Sequence, residues 1–255
     1  MAILDLFRVD GQVALITGAG RGIGQAMAVT LAGAGADIAG LYNTRYEETA
    51  LQVESLGRRF LPIQLDLQQA SPEQLQDVVR QVVDMGGRLD ILVNNAGIIL
   101  RNPALEFSAS DWNAVMQVNL NAVFFLSQAA AAVMVQQRKG KIIQVASLLS
   151  FQGGIRVPAY TAAKHGVVGL TKALANELAP MGINVNAIAP GYIRTDNTTA
   201  LQADLARNAA ILSRIPVGRW GEPDDLKGVT LFLASAASDY MHGAVITVDG
   251  GWMGM

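Results

Sequence analysis

The sequence predicts one doubly wound α/β domain: a seven-stranded parallel sheet with helices on both faces. Three observations carry that expectation. Seven short apolar runs recur through the 255 residues, each ending in or followed directly by Gly, Asn, Asp or Ser. The longer segments between them carry helical period and helix-start signals, the alternation that right-handed crossovers turn into a sheet binding ligands at its carboxyl edge. No Pro/Ser-rich linker, charge run or repeat divides the chain, so residues 1–255 read as a single unit.

Taken in order, VALITG (13–18), ADIAGLY (36–42) and FLPIQLD (60–66) are the first three buried strands. Ser71-Pro72-Glu73-Gln74 then supplies an N-cap, a first-turn proline and a glutamine three residues beyond the cap, which together start a helix. LDILVNNAG (89–97) is the fourth strand, and Ser108 followed by Asp111 starts the helix that passes through Trp112, Val115 and Met116. GKIIQVAS (140–147), INVNAIAPG (183–191) and AVITVDGG (244–251) complete the sheet. The longest stretch without a strand, 192–243, is rich in helix formers and reads as an insertion covering the site.

Composition narrows the function classes. Hydrophobic residues are 51% against 16% charged, so much of the chain is expected to be buried in a large core or against copies of itself. A net charge of −2 with no basic block gives nucleic acid no footprint. The absence of cysteine excludes disulfides, thiolate metal sites and cysteine nucleophiles. His165 and His242 belong to no metal-ligand spacing, and no metal site is expected. The opening MAILDLFRVDG has no basic residue before its apolar piece and reads as neither a signal nor a transit peptide. The longest apolar stretch, Ala122 to Val135, is interrupted by Ser127 and Gln128 and falls short of the ~20 residues of a membrane span. The expectation is a cytoplasmic protein with no membrane partner.

After the first strand, Gly18, Gly20, Gly22 and Gly24 stand where strand gives way to helix. Backbone without side chains can approach a pyrophosphate there, and the free N–H groups of a helix start favour its charge. The spacing is G-x-x-x-G-x-G, not G-x-G-x-x-G, and a plain strand-to-helix turn is the bland alternative. Asp66 and the Asn94-Asn95-Ala96-Gly97 turn end strands at the same sheet edge. Asp66 could accept from an adenine amino group, and Ala96 and Gly97 would leave room for a flat ring. The second strand ends Leu41-Tyr42-Asn43-Thr44-Arg45, without the acid that would bind ribose hydroxyls. Arg45 and Arg21 could contact a phosphate or be solvated surface charges, so NAD and NADP both stay open.

Tyr160 and Lys164 are four residues apart, so in a helix starting near Pro158 they share one face. A phenol with a pKa of ~10 needs a fall of about 2–3 units to act as a base near neutrality, and a neighbouring ammonium in a desolvated cleft can supply it. Ser147 ends the fifth strand and can hydrogen-bond the oxygen that changes oxidation state. Asn119, in VNLN, could hold the water that resupplies protons to Lys164. Arg156, between Ser147 and Tyr160, and Arg101, after the fourth strand, could hold a substrate carboxylate or be surface charges.

From TGAGRGIG through NNAG, Asn119, Ser147, Tyr160 and Lys164 to PGYIRT (190–195) and the final DGG, the chain resembles the short-chain dehydrogenase/reductases over essentially its whole length. The resemblance implies a Rossmann-type fold, a nicotinamide cofactor, a catalytic tetrad of Asn119, Ser147, Tyr160 and Lys164, and commonly a homotetramer. It implies cofactor contacts at the glycine loop through Gly18, Arg21, Gly22, Ile23 and Gly24. Further contacts would come from Asn43, Asp66 and Leu67, from Asn94, Ala96 and Gly97, and from Tyr160 and Lys164. The loop after the sixth strand would add Pro190, Gly191, Ile193 and Thr195. SLLSFQGGIRVPAYTAAK, RIPVGRWGEP and DGGW further resemble the members of that family that act on 2-deoxy-D-gluconate or 2-dehydro-3-deoxy-D-gluconate, for which NAD is the preferred cofactor. A 3-oxoacyl-thioester reductase and a cofactor-binding protein without turnover are the rival readings.

Overall fold

The computed structural model describes residues 2–254 of the chain, with Met1 and Met255 outside the described part. Seven strands form one sheet: β1 (Val13–Thr17), β2 (Asp37–Tyr42), β3 (Phe60–Gln64), β4 (Ile91–Asn94), β5 (Gly140–Val145), β6 (Ile183–Pro190) and β7 (Val245–Val248). All run parallel, in the order β3-β2-β1-β4-β5-β6-β7. The chain leaves β1 toward one side and, after β3, restarts at β4 on the other. Where the loops of β1 and β4 part, a crevice opens at the carboxyl edge.

Strand parity divides the core in two. Val13 and Leu15 point to the face covered by α3 (Pro72–Gly86), α5 (Ala122–Gln137) and α6 (Pro158–Leu178), with Leu75, Val79 and Leu126 packed on them. Ala14 and Ile16 point to the face covered by α1 (Gly22–Gly33), α2 (Glu47–Ser55) and α9 (Lys227–Ala234), against Met27, Leu31 and Leu233. Burial on both faces is why these strands read as continuous apolar runs and not as alternating ones.

The helix starts follow the sequence signals. The Ser71 hydroxyl accepts from Gln74 N (3.3 Å) while the Gln74 side chain accepts from Ser71 N (2.9 Å), and the Ser108 hydroxyl accepts from Asp111 N (3.0 Å) at the head of α4 (Ala109–Met116). Between α4 and α5 the helix widens into a π turn, Gln117–Asn121, making one continuous helical run of 29 residues, Ala109–Gln137. This run is longer than the apolar segment expected from sequence, because the π turn joins α4 to α5 instead of ending either. By length and composition it could cross a membrane, yet half of its most apolar window is buried within the protein.

The β1–β4 seam has its own clamp. Asp90 is buried and accepts from Val13 N (2.9 Å) and from Arg88 through both carboxylate oxygens (2.6 and 2.7 Å). Of the stretch 192–243, residues Tyr192–Thr198, Leu201 of α7 (Thr199–Ala203) and part of α8 (Leu205–Leu212) border the crevice. The later α9 is an apolar helix seated against α1 on the sheet face, because Leu233 and Ala234 belong to that core.

Candidate active site

The crevice is a cleft of about 850 Å³ running from the glycine loop to the head of α6. At one end, β1 gives way to a loop folded tightly on its neighbours. A Cβ at position 20 would overlap the Arg45 carbonyl oxygen, so only glycine lets the loop and the end of β2 lie together there. Gly22, the first residue of α1, has φ +56°, in the left-handed region that favours glycine. Arg21 caps α1 without a side-chain hydrogen bond, leaving its first-turn N–H groups facing the cleft. The helix dipole adds positive potential at that point.

The β4 turn is pinned to this loop. The Thr17 hydroxyl accepts from Asn95 N (3.0 Å) and Ala96 N (2.9 Å), and Asn95 Nδ2 donates to Thr17 O (2.9 Å). Asn95, Ala96 and Gly97 line the cleft, but Asn94, expected as a cofactor contact, does not. Its side chain is buried on the α5 side, where Nδ2 donates to Ser127 Oγ (3.0 Å) and Gln144 Oε1 (2.9 Å). Successive strand residues face opposite ways, and Asn95 takes the cleft side.

Asn43, Asp66 and Leu67 line the cleft, as do Ile23, Gly24, Pro190, Gly191, Ile193 and Thr195. Asp66 has one carboxylate oxygen engaged by Gln68 N (2.9 Å). Arg21 and Arg45 converge on a carboxylate of this same chain: Arg21 Nη1 lies 2.5 Å and Arg45 Nη2 3.4 Å from Asp196 Oδ2.

At the far end, Pro158 opens α6 and places Tyr160 and Lys164 on one face, both lining the cleft with Ser147. Lys164 is buried; its ammonium lies 5.7 Å from the Tyr160 ring centre and donates to the Val145 carbonyl (2.5 Å). The two share one face, as the four-residue spacing predicts, but the hydrogen bond of the ammonium goes to the strand-end carbonyl and not to the phenol. Burial pushes the Tyr160 phenol pKa up, while the Ser147 hydroxyl and the Arg101 charge pull it back. Burial also lowers the Lys164 ammonium from 10.5 to about 8.

Asn119 is wholly buried in the π turn, and its side chain is spent on the β4 loop, accepting from Ile98 N and donating to Ile98 O, both at 2.9 Å. It braces the wall of the site and does not line the cleft. Ser150, which sequence reasoning missed, accepts from Ser147 N (3.2 Å) and donates to Lys164 O (2.7 Å), tying the serine's loop to α6. The second serine in S147-L-L-S150 was its only sequence signal.

Of the two arginines expected near substrate, Arg101 lines the cleft and donates to Asn197 O (3.4 Å), whereas Arg156 does not border it. Arg156 sits at φ +64° with its carbonyl accepting from Asn102 N (3.0 Å), so it serves the loop through its backbone and its side chain is exposed. Arg214 and Trp252 complete this wall, the guanidinium 4.0 Å above the indole. Trp252 Nε1 also donates to Gln152 Oε1 (3.4 Å) on the loop between Ser147 and Tyr160.

These walls suit a dinucleotide: a glycine cradle closed below by backbone, free helix N–H groups for a pyrophosphate, and small residues at Ala96 and Gly97 where a ring can lie. Residues 12–206 match the family model described as short chain dehydrogenase. The chain is 54% identical over 252 residues to the 2-dehydro-3-deoxy-D-gluconate 5-dehydrogenase of Escherichia coli (strain K12), spanning 98% of this chain and 99% of that protein. It is 53% identical over 250 residues to the enzyme of the same name from Bacillus subtilis (strain 168), spanning 98% and 97%. The solved structure of a gluconate 5-dehydrogenase from Burkholderia cenocepacia J2315, in complex with NADP and tartrate, superposes with a TM-score of 0.92 at 41% identity, covering all of both chains.

Proposed function

The chain belongs to the short chain dehydrogenase family, and within it we propose an oxidoreductase that moves a hydride between a nicotinamide dinucleotide and a secondary alcohol or ketone of a deoxy sugar acid, of the 2-dehydro-3-deoxy-D-gluconate type. The observation that carries the reading is the placement of Tyr160, Ser147 and Arg101 on one cleft with the glycine loop. The nicotinamide, when bound, accepts or supplies the hydride.

The chain's own residues handle the proton and the orientation. In oxidation, Tyr160 Oη takes the hydroxyl proton as the carbon gives up hydride; in reduction it returns that proton to the carbonyl oxygen. Ser147 Oγ donates a hydrogen bond to the same oxygen. The Lys164 charge, held beside the ring by the Val145 carbonyl, opposes the burial that keeps the phenol protonated. Asn119 fixes the Ile98 backbone and so the wall behind Lys164. Arg101 takes the substrate carboxylate, and Arg156 is left out of that role.

Arg21 and Arg45 beside the end of β2, with no acid among residues 42–45, favour use of NADP as well as NAD. The proposal includes one domain over 1–255, with the segment from 192 to about 214 covering substrate, working as a cytoplasmic homotetramer. The excess of hydrophobic over charged residues supports assembly. Among rival substrates, an acyl thioester on an acidic carrier is disfavoured by a chain of net charge −2.

The test is a matrix of sugar acids, neutral polyols and acetoacetyl thioesters against both cofactors, with Tyr160→Phe as control. Turnover confined to sugar acids and lost at least a hundredfold in Tyr160→Phe supports the reading. Thioester reduction without sugar-acid turnover refutes it.

A further inference from the structure

Asp196 lines the cleft, and the proposed reaction leaves it without a task. It lies on the turn after β6, 175 residues from Arg21, yet its Oδ2 is 2.5 Å from Arg21 Nη1 and 3.4 Å from Arg45 Nη2. The approach is built into the turn. Thr195 N donates to Thr198 Oγ1 (3.1 Å), and Thr198 Oγ1 donates to Ile193 O (2.8 Å), which holds Asp196 at the rim. The Thr195 methyl carbon lies 3.5 Å from where a Cβ on Gly22 would stand. Three segments therefore meet there: the glycine loop, the end of β2, and the turn after β6.

We propose that Asp196 is a cofactor-specificity residue whose carboxylate stands in for the ribose 2′-phosphate between Arg21 and Arg45. This rests on the dinucleotide reading of the cleft, though not on any particular substrate. A 2′-phosphate brings a charge of about −1.5 to −2 to the same two guanidiniums, and a carboxylate already there competes with it by repulsion and occupancy. A dinucleotide with a free 2′-hydroxyl brings no such charge. Asp196 then stays, and the two arginines remain paired. The carboxylate thus penalises the phosphorylated cofactor and spares the other, bringing their affinities together in a site that otherwise carries two unopposed arginines. Asp196 and both arginines are more than half exposed, so the effect is moderate and screened by salt.

The experiment uses adenosine 2′,5′-bisphosphate and adenosine 5′-monophosphate as probes, titrated calorimetrically into the full-length protein. They contain no nicotinamide and need no turnover, so failure of the sugar-acid assignment leaves the result readable. Asp196→Asn is expected to tighten the bisphosphate about 3- to 5-fold and to leave the monophosphate unchanged within about 1.5-fold. Asp196→Glu restores the wild-type ratio. In an Arg21→Gln, Arg45→Gln background, Asp196→Asn has no further effect on the bisphosphate. Raising the salt concentration shrinks the difference between wild type and Asp196→Asn. An unchanged bisphosphate affinity in Asp196→Asn overturns the inference. So does an equal shift for both probes, which would mark Asp196 as a general support of the loop.

Discussion

Lys164 holds its ammonium 5.7 Å from the Tyr160 ring centre while giving its hydrogen bond to Val145, so the two share a buried corner without touching through their polar atoms. Burial favours the neutral form of each: the phenol is pushed up and the ammonium down. A phenol still protonated at neutral pH is ready to donate. Ketone reduction is therefore expected to be supported near pH 7, and alcohol oxidation to rise through the alkaline range as phenolate forms. Arg101→Met removes a charge that lowers the phenol pKa and shifts the alkaline limb of oxidation to higher pH. Profiles of kcat/KM in both directions check this; an oxidation limb unmoved in Arg101→Met would separate Arg101 from the phenol.

The same lysine sets a stability window. Its folded pKa is depressed from 10.5 to about 8, so between those values the unfolded chain binds the proton more tightly. Its contribution is fully present above about pH 10.5 and is lost as pH falls through about 8. At about 1.4 kcal/mol per unit, the stability of wild type relative to Lys164→Met should rise by up to about 3 kcal/mol across that window. Urea denaturation at several pH values measures it, and parallel curves for the two proteins would rule it out.

Asn94 and Asn95 separate structure from binding. Asn94→Ala leaves Ser127 and Gln144 short of a buried partner and should cost about 1–3 kcal/mol of stability, with dinucleotide affinity changed by less than about twofold. Asn95→Ala removes the Nδ2 bonds to Thr17 O and Gly18 O, leaving the turn held to the Thr17 hydroxyl by backbone amides alone, and should weaken the dinucleotide by about 5-fold or more. Melting curves and fluorescence titrations on both variants decide, and the reverse pattern would return Asn94 to the binding surface.

Arg101 and Arg156 give a second contrast. A charge-assisted bond to a carboxylate is worth roughly 1.5–3 kcal/mol, so Arg101→Met should lower kcat/KM for a sugar acid by about 10- to 150-fold, and much less for a neutral polyol. Arg156→Met should change either by less than about threefold. Arg156→Gly is expected to stabilise the protein by up to about 1 kcal/mol, because φ +64° strains a residue with a Cβ. Steady-state kinetics on both substrates and a thermal melt cover all three variants. Equal losses on acid and polyol in Arg101→Met would end the carboxylate assignment.

Strands β1, β2, β4, β5 and β6 were legible because a parallel strand buried on both faces must be apolar along its length; β3 and β7, at the two edges of the sheet and only partly covered, were legible from short apolar runs closed by turn residues. That the glycine loop, Tyr160, Lys164 and Ser147 border one cleft was legible because their spacing maps directly onto a strand end and a helix face. Asn94 was misread because the switch from strand to loop hides which of two neighbouring asparagines turns to the cleft. The fate of Arg156 depended on a left-handed backbone that no local residue announced. Arg214 over Trp252, and Asp196 between two arginines, are contacts across long sequence separations, beyond the reach of pattern and period.

The β1–β4 seam, clamped by Asp90, is the one place where sheet neighbours are not consecutive in the chain. Strands β1 to β3 and β4 to β7 can each zip locally, but this pairing must close a long loop before it contributes anything. The glycine loop and the Asn95 turn hang from opposite sides of the seam, so a chain stalled as two half-sheets has no cleft. A bound dinucleotide, touching both halves, should therefore slow hydrogen exchange most at the amides of Val13 to Thr17 and Ile91 to Asn94, acting as a staple across the seam between the two half-sheets.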